Sequence, residues 1–194
     1  MTNCRPLVIA TLALAMAMPV VSGPLVVLEQ NLGLRGRITR VTDGDTVSLL
    51  DADKNQIKMR WAGIDAPEAE MPYGPAARAY LANLVLDKQV LAVTQKKYRY
   101  GRTVATLILG TKDVNLAMVQ AGLAWHYKQY VRQQSEPQAV AYAQSEIDAR
   151  TQAHGLWQDE KPTAPWDWRN TQTGMVNGLS LINANGISLQ QGEK

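Results

Sequence analysis

Alternating apolar and polar side chains indicate three short strands near the beginning of the main body of the chain. The alternation covers residues 37–41, 46–49 and 57–61. An Asp43-Gly44 turn follows the first strand, and a polar turn over residues 51–55 follows the second. Turns this short predict that consecutive strands pair as hairpins.

Beyond Gly74 the apolar side chains no longer alternate with polar ones and instead recur every three to four residues, as in a helix. Apolar side chains recur at helical spacing at Ala77, Tyr80, Leu81, Leu84 and Val85. Two more strands are predicted over 90–93 and 103–109, followed by helices over 114–125 and 136–154; Ser135 is the expected N-cap of the last. This order favours a mainly β, α+β domain built on a small closed five-stranded barrel over a doubly wound sheet.

Both ends of the chain differ in composition from this body. Residues 1–23 have one basic side chain and then an apolar stretch, which predicts an export signal cleaved near residue 17 or 23; an uncleaved anchor is the alternative. We expect a linker over 24–34, a main domain over 35–158, a Pro/Trp segment packed on that domain over 159–170, and a flexible polar tail over 171–194. The mature protein is therefore expected in a periplasm or outside a bacterial cell.

Composition narrows the possible chemistry. The 194 residues are 46% hydrophobic and 19% charged, with a net charge of +3, which is compatible with a polyanionic partner without requiring one. Cys4 is the single cysteine, so a disulfide framework and a cysteine-ligated zinc site are excluded. Two histidines, His126 and His154, leave little room for histidine-based metal or triad chemistry.

A group of charged residues lies at strand ends and in turns within 26 residues of sequence: Asp43, Asp45, Arg60, Asp65 and Glu68. Taken singly, each carboxylate is explained more simply as a turn residue. Taken together with their surroundings, they match a known pattern.

The sequence resembles the staphylococcal nuclease (thermonuclease) family in four stretches. These stretches are VTDGDTV at 41–47, MRWAGIDAPE at 59–68, YRYGR at 98–102 and VNLAMVQAGLA at 114–124. Their order and spacing agree with the family from about residue 35 to 168. The resemblance implies a five-stranded oligonucleotide-binding (OB) barrel with three helices, in agreement with the element order above.

The resemblance also implies a calcium-dependent hydrolytic site. Asp45 and Asp65 match the family's metal carboxylates, and Ala66 stands where a backbone carbonyl completes the set, a donor group suited to a hard cation. Glu68 matches the residue usually assigned as general base. Arg60 and Arg102 match the two arginines that hold the phosphate.

Further positions carry substrate-binding or supporting roles by the same resemblance. Tyr100 and Arg99 match residues near the bound phosphate, and Tyr127 and Tyr130 lie near a base-stacking position, although packing explains these two tyrosines equally well. Asp43 and Thr46 are expected to support the site.

The function implied is that of an exported calcium-dependent phosphodiesterase. It would hydrolyse DNA and RNA with little sequence specificity at the 5′-O–P bond, leave 3′-phosphate ends, and act as a monomer without a stable protein partner. The alternative is a catalytically silent OB-fold module that binds nucleic acid. Because Asp45, Asp65, Glu68, Arg60 and Arg102 are all present, the sequence favours the enzyme.

Overall fold

A computed structural model describes residues 33–97 and 103–173 of the chain. Its strands are β1 (Leu34–Val41), β2 (Thr46–Leu50), β3 (Gln56–Trp61), β4 (Ile64–Asp65), β5 (Gln89–Lys97), β6 (Thr103–Leu109), β7 (Lys112–Asp113) and β8 (Trp125–His126). Its helices are α1 (Gly74–Val85), α2 (Val114–Gln120), α3 (Glu136–Thr151) and α4 (165–173), with 3₁₀ turns at Lys128–Gln133 and Gly155–Gln158. The predicted export signal, nearly all of the predicted linker and the tail from residue 174 lie outside the described residues.

Five of these strands form a closed barrel. Antiparallel pairing joins β3 to β2, β2 to β1, β1 to β5 and β5 to β6, and a parallel pairing of β3 with β6 closes the cylinder. Both predicted hairpins form. The predicted α+β fold with a five-stranded OB-type barrel is therefore confirmed.

The alternation in the sequence matches the inner face of the barrel. Val47 and Leu49 of β2 are fully buried, as is Met59 of β3, while Trp61 is 3% exposed. Successive side chains of a strand point to opposite faces, so residues two apart enter the same core. The charged residues between them, such as Arg60, are thereby directed outward.

Helices α1 and α3 pack against this core as their spacing predicts. In α1 the fully buried residues are Ala77, Leu81 and Val85, which lie four apart on one face. In α3 the large side chain of Tyr142 is fully buried. A Cβ added to Gly74, the first residue of α1, would lie 2.0 Å from the carbonyl oxygen of Glu68, so a glycine is required where that turn meets the helix.

Two predicted helices end earlier than expected. Helix α2 was predicted to reach residue 125 but ends at Gln120, because Gly122 adopts a left-handed φ of +63° and the chain turns away. Trp125, predicted to be helical, lies in β8 instead. Helix α3 ends at Thr151 and not near His154.

Past Gln158 the chain forms helix α4, which the sequence pattern did not predict. The predicted boundary between residues 170 and 171 falls inside this helix. Across the described residues, no helix has both the length and the hydrophobicity needed to cross a membrane.

Candidate active site

Two turns distant in sequence bring a pair of buried carboxylates together. Asp45 leads into β2 and is 4% exposed, and Asp65 ends β4 and is fully buried. The backbone N–H of Ala66 donates to Asp45 Oδ2 at 3.2 Å, which joins the two turns directly. A Cβ on Gly44 would lie 2.7 Å from the Cβ of Ala66, so this close approach requires glycine at position 44.

The neighbours of Asp45 hold its carboxylate in place. Asp43 Oδ1 accepts a 3.0 Å hydrogen bond from the backbone N–H of Asp45, the turn-forming role expected of such an aspartate. Thr46 Oγ1 donates to Asp45 Oδ1 at 2.9 Å. Asp43 and Thr46 thus both contact the residue that they were expected to support.

Arg60 links the two carboxylates. Its position is set by strand register, because Arg60 on β3 is paired with Thr46 on β2, next to Asp45. Arg60 Nη2 donates to Asp65 Oδ1 at 2.6 Å and to Asp45 Oδ2 at 3.3 Å. One nitrogen thus contacts an oxygen from each turn, so the two oxygens converge. Burial acts to lower the pKa of Arg60, but the charges of Asp45 and Asp65 outweigh it and raise that pKa.

Burial dominates the pKa of the Asp45 carboxyl. Burial raises it from 3.8 to about 7; the charge of Arg60 acts to lower it, and the charges of Asp43 and Asp65 raise it further. A buried carboxylate is stabilised in its charged form by a nearby cation. A cation placed beside Asp45 would lower this pKa again.

The donor groups suit a hard divalent cation. Asp45 and Asp65 supply carboxylate oxygens that face the same nitrogen of Arg60, and Ala66 is 4% exposed directly after Asp65. Calcium takes carboxylate, backbone carbonyl and water oxygens. Within the described residues, no group of three or more His, Cys, Asp or Glu side chains is arranged to hold a metal. A set of two carboxylates and a carbonyl does not need such a group, so the residues fit the predicted cation.

Glu68 lies beside this pair and is held by an arginine that sequence reasoning missed. Arg169 Nη1 donates to Glu68 Oε1 at 2.7 Å, and Arg169 Nη2 donates to Asp65 Oδ2 at 2.6 Å. Hydrogen bonding to Asp65 is the largest of the effects that raise the pKa of Arg169. The site therefore holds two guanidiniums among the described residues, one from β3 and one from α4.

One signal for Arg169 was present in the sequence. Trp166 and Arg169 are three residues apart, so in a helix they share a face. From the sequence, this Pro/Trp segment was expected to pack on the main domain, and Arg169 was assigned no role.

Arg99, Tyr100 and Arg102 lie outside the described residues. The barrel does fix the backbone next to them, because Thr103, which follows Arg102, pairs with Met59, the neighbour of Arg60. The pairing of Arg60 and Arg102 at one phosphate stays a prediction.

Tyr127 and Tyr130 lie in an aromatic group beside the site. The ring of Tyr127 stacks on Trp166, with centroids 5.2 Å apart and planes at 18°, and meets Tyr130 edge-on at 5.1 Å. Tyr130 is 41% exposed. A cavity of about 560 Å³ opens here, and its lining combines aromatic and cationic side chains: Trp125, Tyr127, Lys128, Arg150, Trp166 and Arg169.

Comparison with known proteins identifies the family. The family model described as "Staphylococcal nuclease homologue" matches residues 58–159, just over half of the chain. The chain belongs to the staphylococcal nuclease family. The predicted family is thereby confirmed, and three of the four sequence stretches lie within the matched region.

Three relatives each match at least 70% of the chain. An "Uncharacterized endonuclease" of Haemophilus influenzae is 37% identical over 136 residues, covering 70% of this chain and 73% of that protein. "Protein ParB" of Escherichia coli is 37% identical over 145 residues, covering 70% and 79%. A "Micrococcal nuclease" of Shigella flexneri is 34% identical over 152 residues, covering 74% and 84%. The region matched by the family model ends before Arg169.

Proposed function

We propose that this chain is an exported, calcium-dependent nuclease that hydrolyses phosphodiester bonds in DNA and RNA at the 5′-O–P bond and leaves 3′-phosphate ends. Membership of the staphylococcal nuclease family supports the coarser statement that it is a hydrolase acting on nucleic acids. Calcium dependence, cleavage of the 5′-O–P bond and export go beyond what family membership supports.

The observation that carries the proposal is the convergence of Asp45 and Asp65 on one nitrogen of Arg60, at 3.3 Å and 2.6 Å. Asp45 and Asp65 would hold calcium together with the carbonyl of Ala66. When bound, calcium would supply Lewis-acid polarisation of a phosphoryl oxygen.

Arg60 and Glu68 would perform the protein's part of the reaction. The side chain of Arg60 is 32% exposed, so its guanidinium is within reach of a phosphate from solvent. A charge-assisted contact of this kind to developing negative charge is worth about 3 kcal/mol in the transition state. The side chain of Glu68 is 33% exposed beside the buried pair, a position suited to accept a proton from the attacking water.

The surroundings support a nucleic-acid substrate bound without sequence readout. The cavity beside the site combines the rings of Tyr127 and Trp166 with the cations Lys128 and Arg150. Aromatic rings stack on any base, and cations hold the backbone. By the family resemblance, Arg102 would hold the phosphate together with Arg60, and Tyr100 and Arg99 would bind near that phosphate. Tyr130 would lie near a base-stacking position.

The direct test is incubation of the purified chain with single- and double-stranded DNA and RNA, with calcium, with magnesium, or with a chelator. We expect cleavage in calcium, 3′-phosphate ends, and poor cleavage in magnesium, which demands stricter octahedral geometry. Equal rates with both metals, or cleavage in chelator, would contradict the metal assignment.

Glu68→Gln tests the general base. We expect the turnover rate to fall by about 10²- to 10⁴-fold, because the amide cannot accept the proton. Glu70→Gln is the matched control, since Glu70 is an exposed glutamate of the same turn. Equal effects of both substitutions would count against the role of Glu68.

The second candidate, a catalytically silent OB-fold module, predicts binding of nucleic acid with no cleavage under any of these conditions. Export is tested separately, by expressing the full chain in a bacterium, fractionating the cells and determining the N-terminal residue of the product. Retention in the cytoplasm with an intact N-terminus would contradict export.

A further inference from the structure

Arg169 ties together two acidic side chains of the candidate site. Its Nη2 donates to Asp65 Oδ2 at 2.6 Å, while its Nη1 donates to Glu68 Oε1 at 2.7 Å and to Asp65 Oδ1 at 3.3 Å. These contacts span 104 and 101 residues of sequence. A guanidinium is a rigid planar fork, so it fixes the relative orientation of the two carboxylates that it bridges.

The position of Arg169 is set by packing as well as by charge. Three residues earlier on α4, Trp166 stacks on Tyr127 and meets Trp125 edge-on, with centroids 5.2 Å and 5.5 Å away. Trp125 is also the strand partner of Asp65 in the β4–β8 pair. Trp125 thus contacts Trp166 through its ring and pairs with Asp65 through its strand. These two contacts hold α4 close to β4, so that the Arg169 side chain reaches Asp65.

Glu68 needs such a restraint. It lies in the turn before α1, and its side chain is 33% exposed, so packing alone leaves its carboxylate several rotamers. A general base is effective only within hydrogen-bond reach of the water that it deprotonates. A displacement of about 1 Å costs on the order of 10²-fold in rate.

We propose that Arg169 is a positioning residue of this nuclease, which orients the Glu68 carboxylate against Asp65 and is itself held in place by Trp166. This inference rests on the proposed function. It assigns to α4, which lies beyond the region matched by the family model, a direct part in the site.

The test is steady-state cleavage of a fluorogenic oligonucleotide in calcium by the full chain and its variants. For Arg169→Gln we expect kcat to fall about 10²-fold with KM changed by less than threefold. Arg169→Lys should recover part of the loss, because an ammonium can still reach Glu68 but cannot form the fork. Trp166→Ala, which retains Arg169, should also lower kcat, and it should raise KM as well, because the Trp166 ring lines the proposed substrate cavity.

A double-mutant cycle tests whether Arg169 acts through Glu68. In the Glu68→Gln background, Arg169→Gln should lower kcat by less than threefold, because the Glu68 carboxylate that Arg169 orients is already absent. A further 10²-fold loss in that background would overturn the proposal, since Arg169 would then act independently of Glu68. The matched control is Arg37→Gln, which breaks an exposed 2.8 Å ion pair with Asp87 and should leave kcat unchanged.

Calcium binding to the chain alone, measured by calorimetry, gives a readout besides activity. We expect Arg169→Gln to tighten the calcium Kd, because Arg169 donates to both oxygens of Asp65, while kcat still falls. A Kd more than tenfold tighter with unchanged kcat would overturn the proposal and identify Arg169 as a competitor of the cation at Asp65. Cleavage by the wild type with an unaffected Arg169→Gln variant would refute this inference alone, whereas an inactive wild type would refute the proposed function as well.

Discussion

The buried carboxylate of Asp45 predicts an unusual pH dependence of stability in the metal-free chain. Burial raises its pKa in the folded state from 3.8 to about 7. Between those two pH values the folded chain keeps a proton that the unfolded chain has released. The free energy of unfolding therefore falls as the pH rises from about 4 to about 7, the reverse of the usual behaviour of a paired carboxylate.

The size of the effect follows from the shift. Each pKa unit corresponds to about 1.4 kcal/mol, so the contribution of Asp45 changes by about 4 kcal/mol across this range. That is a large part of the 5–15 kcal/mol typical of a folded domain. Asp45→Asn removes the titrating group, so the variant should lack this slope.

The assay is urea unfolding followed by tryptophan fluorescence, in chelator, at intervals from about pH 4 to about pH 8. The difference between wild type and Asp45→Asn reports Asp45 together with its coupling to Asp43, Asp65 and Arg60. We expect the variant to gain about 4 kcal/mol relative to the wild type as the pH rises. Saturating calcium should abolish that gain by stabilising the charged form of Asp45.

A difference that stays constant with pH in chelator would refute the electrostatic account of the site. A difference that is unchanged by calcium would refute the assignment of Asp45 as a metal ligand.

Three further substitutions test the framework that holds the site. Asn115→Ala should cost about 3 kcal/mol by urea unfolding, because this fully buried amide bonds the N–H of Leu107 and the carbonyl of Ala62, which would both lose this partner; a loss under 1 kcal/mol would contradict this. Tyr142→Phe should cost about 1 kcal/mol, because it removes the 2.9 Å hydrogen bond to Asp113, and an equally stable variant would contradict that bond. Gly122→Ala should lower the melting temperature by several degrees, because its φ is +63° and the new Cβ would lie 2.1 Å from the carbonyl oxygen of His154; an unchanged melting temperature would contradict the close contact.

The barrel was predictable because its signals are local. Strands β1, β2 and β3 have a two-residue apolar alternation and are joined by short polar turns, and α1 has a four-residue apolar spacing. The approach of Asp45 to Asp65 was expected from the resemblance to the staphylococcal nuclease family, and the hydrogen bond from Ala66 N–H to Asp45 joins their two turns. The hairpins are local, whereas closure of the barrel depends on distant pairings, β1 with β5 and β3 with β6.

The remaining structure depends on contacts that the sequence does not encode locally. Strands β4 and β8 have two residues each, too few for any period, and form because they pair with one another. Helix α2 ends early because Gly122 turns against the carbonyl of His154, more than 30 residues later. Arg169 reaches the site across more than 100 residues, and its helical spacing from Trp166 is a local signal that does not indicate Asp65 and Glu68 as its partners.

The span between Arg169 and its partners also affects the order in which the site is completed during synthesis. The ion pair with Asp65 closes a loop of 104 residues, so it cannot form until the ribosome has released α4. A nascent chain that has already formed the barrel strands would still lack this arginine. A tag or fusion partner joined within 165–173 would interrupt the helix that delivers the last charge.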